Sequence, residues 1–232
     1  MSTPLPRIVD PRAVPVVGTD AHLPALDPAR LTPAALRERF HNLPTPQAEI
    51  AGDLDMAPTL LRPASVLVPL VQRPEGLRVL LTLRTEHLRD HAGQISFPGG
   101  RAEQHDADAA DTALREAEEE IGLPRGVVDV IGQLPCYSTI TRFRVTPVVA
   151  LVRPPFTLHP DAFEVAEAFE VPLQFLMTPA HHQRHAFELL GRQRHFLSMP
   201  WQGIDAHGAP REYFIWGATA AMLRNLYGVL RG

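Results

Sequence analysis

The sequence contains one cysteine among its 232 residues, and this scarcity excludes two kinds of site. A single thiol cannot form an intramolecular disulfide, and it cannot provide a cysteine-based metal centre. Cys136 is therefore expected to be a small buried residue rather than a catalytic nucleophile.

Long apolar runs and a strong excess of one charge are also missing. No stretch reaches the roughly 18 consecutive apolar residues of a membrane span, and proline interrupts the N-terminus where a signal peptide would be apolar. A formal net charge of −4 argues against a general nucleic-acid or membrane-surface binder. These absences predict a soluble cytoplasmic protein with neither nucleic acid nor a membrane as its partner, and they leave a homodimer open.

The composition changes near residue 60. Residues 1–30 are rich in Pro, Asp and Ala without a period, as in an extended arm or a disordered lead-in. A short helix is predicted for Thr32–His41, because threonine followed by proline is typical of a helix start. We therefore expect an N-terminal arm with a short helix over residues 1–60 and a single domain over residues 61–232.

The rest of the chain contains short apolar runs separated by turn residues. Predicted strands cover 64–71, 77–83, 127–134, 145–152 and 212–216, and predicted helices cover 108–121 and 218–230. The turn at 73–76 should join the first two strands into a hairpin. Because strands and helices do not alternate regularly, the pattern favours an α+β domain in α/β/α layers.

Three carboxylates share one face of the predicted helix at 108–121. At about 100° per residue, Glu116, Glu119 and Glu120 fall within one arc, while Glu118 points away. The helix contains no lysine, and Arg115 is the one cation near them. Such repulsion is relieved by a hard divalent cation, Mg²⁺ or Mn²⁺. A solvated acidic surface is the alternative that the helix alone leaves open.

A glycine loop precedes this helix. Residues 93–100 end in Phe97-Pro98-Gly99-Gly100, which predicts a tight turn that brings backbone N–H groups close to an anionic ligand. A glycine loop followed by an acid-faced helix can present metal ions to a diphosphate.

These residues resemble the Nudix family, whose signature is G-x5-E-x7-R-E-U-x-E-E-x-G-U, where U is a bulky aliphatic residue. The second half matches from Arg115 to Leu123, with a small Ala117 at the first U. The first half departs from the signature, because Asp106 stands where the pattern has Glu and eight residues separate it from Arg115. The resemblance implies a Nudix-type α/β/α sandwich with a mixed central sheet over residues 61–232.

A second motif resembles the coenzyme A diphosphatase branch of that family, which carries approximately L-L-T-x-R-[SA]-x3-R-x3-G-x3-F-P-G-G. The chain matches it from Leu80 to Gly100 at the same spacings, except that Thr85 stands at the Ser or Ala position. The resemblance implies hydrolysis of coenzyme A or its derivatives to 3′,5′-ADP and 4′-phosphopantetheine or its acyl form.

The resemblance also assigns roles to residues. It implies that Glu116, Glu119 and Glu120 bind Mg²⁺ or Mn²⁺ and that Arg115 orients a carboxylate among them. Groups near the glycine loop would bind the substrate phosphates: Arg84, Arg89, His91, Gly99, Gly100 and Arg101. The general base would be Glu119 or a downstream acid, Glu164 or Glu167, although these last two also fit a surface helix turn.

Other residues invite functional interpretations that we rank lower. His181, His182 and His185 have no acid at clear ligand spacing, so surface or loop positions are expected for them. Trp201, Trp216 and the loop residues Tyr137, Arg142 and Phe143 are candidates for contact with a nucleotide base, although core packing is expected for Trp216.

Two other functions remain open at this point. One is a Nudix hydrolase for another nucleoside diphosphate derivative, such as ADP-ribose or NADH. The other is a Nudix domain that binds a nucleotide without cutting it, although such domains usually lack box glutamates that this chain has.

Overall fold

The structure is a computed structural model that describes residues 8, 10–44, 47–53, 60–87, 93–189 and 191–232. Within these ranges the α-helices are α1 (Pro33–His41), α2 (Ala109–Ile121), α3 (Leu173–Leu176) and α4 (Gly217–Arg231). No described helix is long and apolar enough to cross a membrane.

Helix boundaries follow local chemistry. The hydroxyl of Thr32 caps α1 by accepting a hydrogen bond from the Ala35 N–H, and the Asp108 carboxylate caps α2 through the Asp111 N–H. Gly122 ends α2 in the left-handed conformation, with φ of 64°. The predicted helix starts and the predicted end of α2 are confirmed.

The strands of the described residues form two sheets. They are β1 (Val16–Thr19), β2 (Arg62–Arg73), β3 (Gly76–Arg84), β4 (Ile95–Ser96), β5 (Gly99–Arg101), β6 (Val128–Gln133), β7 (Tyr137–Ser138), β8 (Phe143–Val152), β9 (Val165–Pro172), β10 (Gln183–Leu189), β11 (Arg192–Ile204) and β12 (Pro210–Trp216). The smaller sheet has the order β1-β10-β11-β12. The larger has the order β4-β3-β2-β8-β6, with β5 on β2, β7 on β8 and β9 on β3.

The larger sheet is mixed, because β2 and β8 run parallel while the other pairs in it are antiparallel. Its two faces bury different apolar clusters. One face packs against α2 through Ala113, Ala117 and Ile121, and the other belongs to a core shared with α4 and the smaller sheet. The described residues therefore form an α+β fold with a mixed central sheet between helical layers, as predicted.

The N-terminal region packs against the rest of the molecule where the structure describes it. Strand β1 pairs with β10, and Leu26, Leu36 and Phe40 lie in the core that contains α4. The boundary at residue 60 stays a prediction.

Candidate active site

Arg115 links four parts of the candidate site from the buried side of α2. Its Nε and Nη2 donate to the two carboxylate oxygens of Asp106 at 2.9 and 3.0 Å. Its Nη1 donates to Glu116 and to Glu119, both at 3.0 Å, and Nη2 also donates to the Arg101 carbonyl at 3.0 Å. The planar guanidinium thus fixes two helix carboxylates relative to the loop that follows the glycines.

Asp106 occupies the first acidic position of the signature, and its side chain is 2% exposed. Besides Arg115, it accepts hydrogen bonds from the Glu103 N–H at 2.8 Å and the Thr112 hydroxyl at 2.9 Å. The hydrogen bonds from Arg115 hold the pKa of this carboxyl well below its usual range. Asp106 therefore positions Arg115, a role that the shifted spacing in the sequence did not reveal.

Glu120 is the buried carboxylate of the acidic face, with 8% of the residue exposed. Burial raises its pKa to about 7, against the stabilising effects of the Gly99 N–H and the charge on Arg84. The Gly99 N–H donates to Glu120 Oε2 at 3.1 Å, and Arg84 Nη1 lies 3.6 Å from Oε1.

Gly99 and Gly100 lie on β5 rather than in the predicted tight turn, and they allow this close approach for different reasons. Gly99 has φ of 156°, and a Cβ there would overlap the carbonyl of Ser65 on β2. A Cβ on Gly100 would lie 2.5 Å from the carboxyl carbon of Glu116. The paired glycines thus bring the backbone of β5 against Glu116 and Glu120.

Glu116 and Glu119 differ in environment although both contact Arg115. Burial raises the pKa of Glu116, while 59% of the Glu119 side chain is exposed. Glu118 points away from the site, as predicted, and pairs with Arg125 at 3.2 Å.

Arg84, the last residue of β3, lies near both Glu120 and Glu164, the residue before β9. Arg84 Nη2 lies 3.7 Å from Glu164, and the buried Arg84 Nε has no hydrogen-bond partner among the described residues. The charge on Glu164 also contributes to raising the pKa of Glu116 and Glu120. The site therefore contains a buried arginine donor that no described residue satisfies.

The chemistry of the acidic face fits a hard cation, because oxygen donors repel one another and one of them is buried. In the arrangement seen, however, the described residues form no group of three or more His, Cys, Asp or Glu side chains that could hold a metal ion. The exposed Glu119 contacts Arg115, whereas the buried Glu120 lies against Gly99 and Arg84.

Other predicted site residues lie elsewhere. The Arg101 side chain is exposed, and Arg89 and His91 fall outside the described residues. Glu167 lies on β9, so the surface helix turn is wrong for it, whereas Glu164 lies in the turn that precedes β9 and its side chain is 41% exposed. Glu167 accepts from the Tyr213 hydroxyl at 2.7 Å, on the sheet face opposite α2.

The prediction of surface positions for the histidines is wrong for two of them. His182 and His185 are 0% and 1% exposed. His182 Nε2 bonds the Leu176 carbonyl, and burial lowers its pKa to about 4. His185 bridges the Val14 carbonyl and the Ser198 hydroxyl, each at 2.8 Å. These contacts are with protein groups of the interior, which the local sequence does not reveal.

The candidates for base contact are also mostly engaged with the protein. Tyr137 is 2% exposed and donates to Asp53 at 2.6 Å, while Arg62 lies over the Phe143 ring. Trp201 packs on Phe175 and Trp216 on Phe196. Cys136 is half-buried and lies 3.5 Å from the Thr146 hydroxyl.

Fold and site together define an α/β/α domain whose glycine loop lies on the acidic face of a helix. The sequence model of the NUDIX domain matches residues 61–190, and the chain belongs to the Nudix family. The family binds small nucleotide derivatives, and its hydrolases generally use divalent metal ions.

Curated relatives support this assignment. The chain is 43% identical over 171 residues to a protein of Yersinia enterocolitica named as the uncharacterized Nudix hydrolase NudL, covering 70% of this chain and 78% of that protein. It is 42% identical over 167 residues to NudL of Escherichia coli K12, covering 71% and 81%. A solved Nudix hydrolase, RenU of M. smegmatis, has 25% identity and a TM-score of 0.43, covering 52% of this chain and 76% of that chain.

Proposed function

We propose that this Nudix hydrolase cleaves the diphosphate bond of coenzyme A or its derivatives, giving 3′,5′-ADP and 4′-phosphopantetheine or its acyl form. The observation that carries the proposal is the meeting of two motifs. Arg84 and the paired glycines of the coenzyme A diphosphatase pattern contact the carboxylates Glu116 and Glu120 of the Nudix box.

The proposed substrate is held by groups whose geometry suits phosphate. The side chain of Arg84 is 24% exposed and its guanidinium lies 3.6 Å from Glu120, so it is proposed to donate to a phosphate oxygen there. The backbone N–H of Gly99 donates to Glu120, so Gly99 and the adjacent Gly100 lie beside the same carboxylate. Arg89, His91 and Arg101 are proposed for the additional 3′-phosphate of coenzyme A.

Glu116, Glu119 and Glu120 are proposed as the ligands of Mg²⁺ or Mn²⁺. The metal, when bound, would neutralise the diphosphate and lower the pKa of the attacking water. Since Glu119 is exposed and held by Arg115, its carboxylate would have to turn from Arg115 to join Glu120. Arg115, fixed by Asp106, would keep Glu116 in place meanwhile.

Glu164 is proposed as the general base. Its carboxylate is 41% exposed and lies 3.7 Å from Arg84, on the side of the sheet where Glu120 lies. It would accept a proton from water as the water oxygen bonds to phosphorus and the P–O–P bridge breaks. Glu119 is the alternative base. Glu167 is the weakest of the three, because its carboxylate already binds Tyr213, Arg211 and the Ala206 N–H.

The test is incubation of the full chain with coenzyme A and Mg²⁺ or Mn²⁺, with ADP-ribose and NADH in parallel and products resolved by chromatography. We expect 3′,5′-ADP and 4′-phosphopantetheine from the wild type. Glu120→Gln should lower kcat by at least about 100-fold, because a metal ligand is lost. Glu118→Gln is the matched control on the same helix, and its rate should not change.

The outcomes separate the alternatives. Cleavage of ADP-ribose or NADH alone would keep the hydrolase and discard coenzyme A as its substrate. Nucleotide binding without cleavage of any compound would favour the non-catalytic module. Full activity of Glu120→Gln would overturn the metal assignment.

A further inference from the structure

One aromatic side chain is more exposed to solvent than the others. The chain has ten Phe, two Trp and three Tyr residues, and all of them lie in the described part of the chain. Phe163 alone among them is exposed, with 65% of its surface accessible. An exposed aromatic ring can gain further contact area from a ligand, so the position of this ring relative to the active site is informative.

The turn that carries Phe163 is built on the acidic helix. The Asp161 N–H donates to the Glu120 carbonyl at 2.9 Å, and the Phe163 N–H donates to the Asp161 carboxylate at 2.9 Å. The N–H groups of Glu164 and Val165 both donate to the Asp161 carbonyl, at 3.0 and 2.8 Å. The turn that carries the Phe163 ring is therefore hydrogen-bonded through its backbone to Glu120, the residue with the buried carboxylate.

The same turn is also attached to the strand that carries Arg84. The Thr85 hydroxyl donates to the Phe163 carbonyl at 2.8 Å, and the Thr85 N–H donates to the Glu164 carbonyl at 3.0 Å. Thr85 is the position where the chain departs from the pattern of its branch, and its hydroxyl fixes the backbone of the exposed aromatic residue. The His87 and Phe163 rings pack in a T-shaped arrangement, with centroids 4.8 Å apart and planes at 61°.

Phe163 thus lies one residue from Glu164, whose carboxylate is 3.7 Å from Arg84. Phe163 is therefore an exposed ring carried by the turn next to the groups proposed to hold the phosphates. The family binds nucleotide derivatives, and a planar heterocycle is the uncharged group that gains most from stacking on an exposed phenyl ring.

We propose that Phe163 is the stacking surface for the base of the nucleotide, with His87 packed against the edge of the stack. The inference deepens the proposed function, since it assumes that the phosphates of the same ligand lie at Arg84. Phe163 is a binding residue and takes no part in the chemistry.

The test compares two ligands that differ only in the base, AMP and ribose 5-phosphate, by equilibrium titration of the full chain. Phe163→Ala should weaken AMP binding by about 5- to 150-fold, because stacking on an aromatic side chain stabilises a bound base by about 1–3 kcal/mol. It should leave the affinity for ribose 5-phosphate unchanged. Ile204→Ala, which removes another exposed apolar side chain (62% exposed), is the control and should affect neither ligand.

A second variant gives a direct signal. Phe163→Trp should retain AMP binding, and its additional fluorescence over the wild type should be quenched by AMP and not by ribose 5-phosphate. Equal weakening of both ligands by Phe163→Ala, or no change in either, would overturn the proposal, as would the absence of quenching.

Failure of this inference and failure of the proposed substrate are distinguishable, because binding of AMP requires no cleavage. Selective weakening of AMP in a chain that does not cleave coenzyme A would keep the stacking surface and discard the substrate. Cleavage of coenzyme A by a chain whose AMP binding does not depend on Phe163 would keep the substrate and discard the stacking surface. Loss of self-association in Phe163→Ala, with AMP binding intact, would show that a second copy covers the ring.

Discussion

At the scale of single residues, the site combines a buried carboxylate with an exposed one. The sequence predicted that Glu116, Glu119 and Glu120 share a face, because helix periodicity fixes direction. It could not predict that Glu120 is 8% exposed while the Glu119 side chain is 59% exposed, since burial depends on the loop and strand that cover the helix. A carboxylate in this position costs stability in the absence of a cation.

We therefore expect Glu120→Gln to stabilise the metal-free protein at pH 8. Burial raises the pKa of Glu120 to about 7 from an ordinary value of 4.5, so above pH 7 the native state carries an unfavourable buried charge. The gain should be on the order of 3 kcal/mol above pH 7 and should vanish as the pH falls from 7 to about 4.5. Urea unfolding in the presence of a chelator measures it.

Bound metal should make the wild type more stable than the Glu120→Gln variant, the reverse of the order expected without metal. Mg²⁺ or Mn²⁺ should raise the melting temperature of the wild type and have little effect on Glu120→Gln, because the ion binds the native carboxylates. Glu118→Gln should respond to metal as the wild type does. A metal-free Glu120→Gln protein that is less stable at pH 8 would contradict the assigned burial cost.

At the scale of elements, the parts predicted from the sequence are those whose signals are local. The hairpin of β2 and β3, the capped helix α2 and the terminal β12–α4 pair follow from apolar runs, turn residues and caps. Strand β9 was missed because Glu167 occupies an inward position of an alternating pattern, where its partners are Tyr213 and Arg211 from distant β12. Strands β10 and β11 were missed for the same reason, since His185 and Ser198 are buried together.

The paired glycines of β5 can lie against the helix carboxylates because they have no side chain. Gly100→Ala should lower kcat/KM by about 100-fold, because a Cβ 2.5 Å from the Glu116 carboxyl carbon must displace that carboxylate. Gly126→Ala is the matched control, since a Cβ there has nothing within 4 Å. Steady-state kinetics of both variants with the substrate that the wild type cleaves provides the measurement. Equal rates for the two variants would show that Glu116 can move without consequence.

At the scale of the whole molecule, the N-terminal arm is joined to the last helix through buried charges. Asp20 is 0% exposed and binds Arg184 of β10 and Arg224 of α4, the latter at 3.2 Å. Tyr227 of α4 donates to the Pro24 carbonyl at 2.8 Å. Nothing in the Pro-rich first 30 residues indicated these contacts, because their partners lie more than 150 residues away in the sequence.

Asp20→Ala should destabilise the fold by about 3 kcal/mol, because it leaves the charge of Arg224 buried and less well paired. Glu49 would still contact Arg224 at 2.8 Å, which places the expected loss at the lower end of the range for broken buried pairs. Asp129→Ala removes an exposed partner of Arg37 and should cost less than about 1 kcal/mol. Urea unfolding of both variants makes the comparison, and equal midpoints would show that the arm contributes no stability.

The chain has no lysine, so its 22 strongly basic side chains are all arginine and remain charged, and the 11 histidines are the basic groups that titrate. Burial lowers the pKa of His182 to about 4, below the ordinary 6.5 of an unfolded chain. Between these values the unfolded state binds the extra proton, so the native state should lose on the order of 3 kcal/mol as the pH falls from 6.5 to 4. Glu120 titrates in the opposite sense, so the two effects partly cancel in the wild type. The Glu120→Gln background isolates the histidine. In that background, adding His182→Gln should flatten the fall in stability between pH 6.5 and 4. Urea unfolding at each pH measures the change. An unchanged slope would mean that His182 is protonated in the native interior.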